Sequence, residues 1–133
     1  MEVLLLDEAS LLAQQLNCEI DHALRYATEH PDEWYGGIQV IFSGDFYQYP
    51  PIGGTALYTP IPESSAQTNK HIEQRLGRLA WKTINMVISL TEQERMKKDS
   101  EYGEAVNHLR TRQCGLEDVE LFNSRVIITY KCI

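Results

Sequence analysis

Two short apolar runs, each ending in acid, frame the first third of the chain. VLLL (3–6) stops at Asp7 and Glu8, and IQVIF (38–42), entered through Gly36 and Gly37, stops at Ser43, Gly44 and Asp45. The second run, nearly continuous and rich in β-branched residues, predicts a strand covered on both faces, and the first is a second strand candidate. Between them Leu12, Leu16, Ile20, Leu24 and Ala27 recur at helical spacing, with Ser10 placed to cap the helix and Pro31 to close it. Strand, helix and strand of these lengths predict a right-handed βαβ unit with parallel strands, so Asp7, Glu8 and Asp45 emerge on one sheet edge. Ligands of open α/β sheets bind outside that edge. Gln48 follows Asp45 by one turn's length, and Pro50 and Pro51 then stop regular structure.

Downstream the pattern is looser. Residues 52–69 carry Gly53, Gly54, Pro60, Pro62 and a Ser/Thr/Gln-rich run, the composition of a long surface loop. A helix is expected over 70–85, with Ile72, Leu76, Leu79, Ala80 and Ile84 inward and Gly77 weakening it. The run 86–90 predicts a third strand. Helices over 100–111, burying Tyr102, Ala105, Val106 and Leu109, and over 116–123 precede a fourth apolar run, 126–130. The fold class is α/β, a mainly parallel sheet with flanking helices in one domain.

Composition narrows this picture. The 133 residues are 43% hydrophobic, enough for a core and against disorder. No run approaches a membrane span and no leader-like segment opens the chain, so a soluble, intracellular protein is expected. Cys18, Cys114 and Cys132 are scattered without a C-x-x-C pair, against a disulfide framework or zinc site. The net charge of −7 is uneven: residues 1–66 hold ten acids and one base, residues 67–133 nine acids and eleven bases. That distribution makes no basic face of the kind a lone DNA-binding module shows.

Adjacent carboxylates at a strand end suit a nucleotide site, the Asp holding Mg²⁺ while the Glu orients or deprotonates the attacking water. Each member alone has a plainer reading as a solvated strand end, a turn aspartate or a surface amide. Two acid-tipped strands of one βαβ unit, the second followed by Gln48 and Pro-Pro, form a more specific pattern than any part.

VLLLDEAS (3–10) resembles the Walker B segment, motif II, of superfamily-one helicases. GGIQVIFSGDFYQYPP (36–51) resembles motif III of the Pif-one-type DNA helicases and their RecD relatives, and ISLTEQERMKKDSEYGEAVNHLRT (88–111) their motif IV region. GRLAW (77–81) and LEDVELFNSRVI (116–127) are similar to the helicase modules of Helitron-like transposons. The resemblance implies a partial RecA-like P-loop NTPase domain, the first motor domain of an ATP-dependent helicase acting on single-stranded or forked DNA. It also implies roles in repair, recombination, telomere maintenance or transposition, and a nuclear or mitochondrial setting. By position, Asp7 would coordinate the Mg²⁺ of ATP, Glu8 would be the catalytic base, Gln48 would meet the γ-phosphate or attacking water, and Arg95 would stabilise the transferring phosphoryl group. Phe46, Tyr47 and the loop after them are candidates for stacking on bases.

Departures from the pattern are Tyr49 in place of Leu, Glu94 in place of an aromatic residue and Met96 in place of Gln. None of the eight glycines precedes a lysine, so no G-x-x-x-x-G-K-[ST] loop lies within these residues. The phosphate-binding loop and second motor domain are thus expected elsewhere, in a truncated product, a transposon remnant or a partial record. Two rivals stand beside the motor: a metallophosphoesterase, for which His22, His30, His71 and His108 lack the usual settings, and a non-catalytic α/β scaffold that binds a partner.

Overall fold

The computed structural model describes residues 3–61 and 68–126, in two compact units divided after Val87. In the first, strands β1 (Val3–Leu6) and β2 (Gln39–Phe42) pair in parallel, Val3 opposite Gln39 and Leu6 opposite Phe42. Helix α1 (Gln14–Thr28) connects them, so the expected strand–helix–strand unit with parallel strands is present. Helix α2 (Asn69–Trp81) follows, capped by the Thr68 side chain, which accepts from His71 N.

The strands are not covered on both faces by the described residues. Leu4, Leu6, Val40 and Phe42 are half-buried, and Phe42 meets Trp81 and Tyr35 edge-on at ring distances of 5.1 and 6.1 Å. Val3, Leu5 and Ile41, one residue out of phase, keep 51%, 61% and 53% of their surface. Alternation in a strand sends neighbours to opposite faces, and only one face has a layer on it here.

The buried face of α1 also differs from the apolar stripe. Gln14, Asn17, Cys18 and Asp21 are buried, whereas Leu16 and Ala27 are exposed and Leu12, Ile20 and Leu24 only half-buried. These polar groups are inside because nearly all are paired. Asn17 Nδ2 donates to Gly77 O (2.8 Å) and the Tyr35 hydroxyl (3.0 Å), and Asp21 accepts from Tyr35 N (2.6 Å) and Arg25 Nε (2.8 Å). Burial pushes the Cys18 thiol up, as does the nearby Asp21 carboxylate, which leaves it an inert core group. Ser10 does not cap the helix. It lies buried in a 3-10 turn, Ala9–Leu11, and Ala13 occupies the cap position without a side-chain bond.

Gly77 places the two helices together. A Cβ there would lie 1.7 Å from Gln14 O, so α1 and α2 meet backbone to backbone. On α2 the buried residues are Gln74, Gly77 and Ala80, while Ile72 and Leu79 are exposed. The loop is not all surface: Ala56 and Leu57 are buried, and its residues 62–67 lie outside the described residues. The expected third strand, 86–90, is not found among the described residues. It makes no ladder, and Met86, Val87, Ile88 and Leu90 are exposed, because an apolar run becomes a strand only with a partner edge. The run 126–130 falls almost wholly outside the described residues.

The second unit is a helical hairpin, α3 (Ser100–Thr111) and α4 (Leu116–Ser124), preceded by a 3-10 turn, Glu94–Met96. Asp99 caps α3 by accepting from Tyr102 N (3.2 Å) and also takes the Arg125 guanidinium; the Arg125 bond, then the cap, holds its carboxyl below the usual range. Tyr102 and Phe122 meet edge-on at 5.6 Å. Of the residues expected inside, Ala105 is buried, Tyr102 and Val106 are half-buried and Leu109 is exposed.

Candidate active site

The parallel ladder runs on past both strands. Ser43 N donates to Leu6 O (2.8 Å) and Ala9 N to Ser43 O (2.9 Å), so the two acid tips leave one sheet edge side by side. Gly44 permits this closeness, since a Cβ on it would stand 2.7 Å from Ala9 N. Asp7 and Glu8 are exposed there. Asp7 Oδ1 accepts from Glu8 N (2.9 Å) and pins the turn that Glu8 makes in the left-handed region (φ 54°). For a residue with a Cβ that backbone costs about 1–2 kcal/mol, a strain met at functional positions. The Glu8 carboxylate has no hydrogen-bond partner among the described residues.

Asp45, half-buried, organises the second tip. Its Oδ1 accepts from Tyr47 N (3.0 Å), its carbonyl from Gln48 N (2.9 Å), and its Oδ2 loosely from Gln48 Nε2 (3.4 Å). The exposed Gln48 amide is thus turned by Asp45 at the edge that carries Glu8. Phe46 packs edge-on against Trp81 (5.6 Å) and Tyr58 (5.7 Å) and belongs to an aromatic chain with Phe42, while Tyr47 and Tyr49 stay exposed.

Arg95 lies in the second unit, on the turn Glu94–Met96. Gly103 seats that turn, for a Cβ on it would lie 3.2 Å from Met96 Cβ. Glu94 pairs with Lys97, which leaves the exposed Arg95 guanidinium without an ion pair among the described residues. The structure therefore brings Asp7, Glu8 and Gln48 to one edge and presents Arg95 on a separate unit.

Can the edge hold Mg²⁺? Asp7 offers a hard, exposed carboxylate with one oxygen outside its Glu8 bond. Mg²⁺ keeps several waters and is commonly bound by one or two carboxylates plus substrate phosphates, so this donor suits it. No group of three or more candidate metal-ligating side chains occurs among the described residues.

A model of the PIF1-like helicases matches residues 1–119. The chain belongs to that family. A Pif1 helicase of Psychrobacter is 46% identical over 52 residues, 38% of this chain and 8% of that protein. The PIF1 helicase of Saccharomyces cerevisiae is 30% identical over 108 residues, 80% of this chain and 11% of its own. Among solved structures, Bacteroides Pif1 in complex with ADP-AlF3 and ssDNA superposes with a TM-score of 0.70 at 25% identity, over 98% of this chain and 30% of that one. Candida albicans Pif1 gives 0.68 at 27%, over 98% and 27%. The fold is thus that of the PIF1-like helicases, and the chain spans 8–15% of the length of its curated relatives. Among the described residues no helix is long and apolar enough to cross a membrane.

What the sequence pattern missed is the support beneath the site: Gln14, Asn17, Asp21 and Tyr35, and the close approaches at Gly44 and Gly77. A signal existed, since Gln14, Asn17 and Asp21 share one helical face.

Proposed function

We propose that this segment is the central part of the first motor domain of an ATP-dependent DNA helicase, with ATP as substrate and single-stranded or forked DNA as track. Both units belong to that domain in this reading. The observation that carries it is that the strands bearing the Asp7–Glu8 tip and the Asp45–Gln48 turn end side by side at one sheet edge, in a chain of this family. Glu8, exposed and without a side-chain partner among the described residues, takes the proton of the attacking water. Gln48, held by Asp45, orients that water or the γ-phosphate. Asp7 would hold the Mg²⁺ that, when bound, offsets charge on the phosphates. Arg95, whose planar fork matches phosphoryl oxygens, would stabilise charge on the transferred group. Family resemblance alone supports a setting in repair, recombination, telomere maintenance or transposition, in nucleus or mitochondrion.

The test is Glu8→Gln in the intact helicase that contains this segment. Shape is kept and the proton acceptor removed, so ATP binds while turnover falls ~10²- to 10⁴-fold, the usual worth of a general base. Unchanged turnover would remove Glu8 from the site.

A further inference from the structure

We propose that Gln14 is a positioning residue for Gln48, acting through the loop that leaves the Gln48 turn; the inference rests on the reading of Gln48 given above. Gln14 is fully buried at the start of α1. Its Nε2 donates to Ala56 O (2.9 Å) and Thr59 O (2.7 Å), and its backbone N to Thr55 O (2.9 Å). One residue thus holds three carbonyls of the loop. The hold extends on either side. Ala13 and Ala56 form an antiparallel bridge, Gly54 lies against Ala13, and Gln74 of α2 donates to Thr55 Oγ1 (3.0 Å).

This clamp matters to the site because of the chain between it and Gln48. The Gln48 turn is fixed at its near end by Asp45. Pro50 and the buried Pro51 follow, their φ set near −65° and the residues before them restricted. A stiff segment pinned at both ends transmits the position of one end to the other. The glycines beyond it, Gly53 and Gly54, would undo that stiffness were the far end free. Gln14 is itself immobilised, its carbonyl lying under Gly77 of α2. It stands six residues after Glu8, so one buried amide ties the Glu8 tip, the α1–α2 crossing and the Gln48 loop to one frame.

The orientation of the amide supports a holding role. Gln14 Oε1 is buried with no hydrogen-bond partner among the described residues, at a cost to stability. The reversed amide would set that oxygen against two carbonyl oxygens. The group is kept for what its nitrogen donates to.

The experiment is a double-variant cycle on ATP turnover in the intact helicase with single-stranded DNA saturating. Gln14→Met keeps length and burial but removes both donors. It should lower kcat about 10- to 100-fold, the scale of a small misplacement of a catalytic group, with KM for ATP little changed. In a Gln48→Ala background the same substitution should cost no further turnover, because the group it positions is gone. A merely structural role would lower turnover by the same factor in both backgrounds, and that result, or no loss in either, overturns the proposal. Gln48→Ala without effect overturns the Gln48 reading and the proposal with it. Should Gln14→Met not fold, Gly54→Ala serves as the second lever, since its Cβ would meet Ala13 Cβ at 2.5 Å and lift the loop without removing a hydrogen-bonding group. Its loss must likewise vanish in the Gln48→Ala background, and a loss that persists there overturns the proposal.

Discussion

Replacing Gly77 by alanine sets two physical arguments of opposite sign against each other. By helix propensity alone, alanine in the middle of α2 stabilises by about 1 kcal/mol. The structure says otherwise. The added methyl would sit 1.7 Å from Gln14 O, 2.7 Å from Gln14 C and 3.0 Å from Cys18 N, all backbone atoms that no rotamer change can move. Reaching ordinary contact needs the helices to part by on the order of 1.5 Å. Such overpacking costs about 1–3 kcal/mol. The separation also stretches the 2.8 Å bond from Asn17 Nδ2 to Gly77 O, and leaving those buried groups unpaired costs roughly another 1–3 kcal/mol. After the propensity gain the net is about 1–5 kcal/mol of destabilisation, or a melting temperature lower by roughly 4–18 °C for a chain of this size. Calorimetry or urea unfolding of Gly77→Ala beside the parent decides it. A melting temperature equal to or above the parent's would mean that the helices do not touch at this point.

Arg95→Lys keeps the charge and loses the fork, so in the intact helicase turnover should fall ~10³- to 10⁵-fold while stability holds, because the side chain is exposed. An unchanged rate at saturating DNA would return Arg95 to the surface charges around it. The buried Tyr35 phenol is pushed up to about 12, chiefly by burial, with the Asn17 hydrogen bond opposing and the Asp21 charge adding. Its unfolded counterpart titrates near pH 10, so the fold favours the protonated form. The stability this contributes is complete below about pH 10 and is lost as pH rises to about 12, some 2–3 kcal/mol. Tyr35→Phe should flatten that stretch of the urea midpoint against pH, and equal slopes in variant and parent would refute it.

What could be read from the chain was what local pattern encodes. An apolar run that stops in acid marks both a strand and its functional end, which is why β1, β2 and the shared edge of Asp7, Glu8 and Asp45 were legible. Helix α3 matches its expected span, residues 100–111. Burial was less legible. The stripe Leu12, Leu16, Ile20 and Leu24 has the right period for a core face, yet Gln14, Asn17 and Asp21 have the same period, and nothing local says which stripe meets α2. That choice was made by Gly77, whose missing Cβ acts across sixty residues of sequence through Asn17. Residues 86–90 failed as a strand for a related reason, since pairing depends on an edge that composition does not reveal. Arg95 could be identified from its motif, and the structure presents it on the second unit.

A polar seam beneath the site follows from what the site must do. Apolar contacts are non-directional, and helices packed only through them can slide by part of a turn at little cost. A hydrogen bond weakens steeply with angle and distance, so a buried set that is largely paired admits one register. Here α1 begins a few residues after Glu8 and the loop after Gln48 lies against its first turn, so the register of α1 against α2 and loop is also the register of one site residue against the other. Aliphatic packing could supply the burial but not that register. The carbonyls of Thr55, Ala56 and Thr59 fix the loop to Gln14, and Gly77 O and the Tyr35 hydroxyl fix α2 and the approach to β2 to Asn17. The left-handed turn at Glu8 can persist above such a base, because the strain of one residue is small beside a network that would have to break as a unit to relieve it.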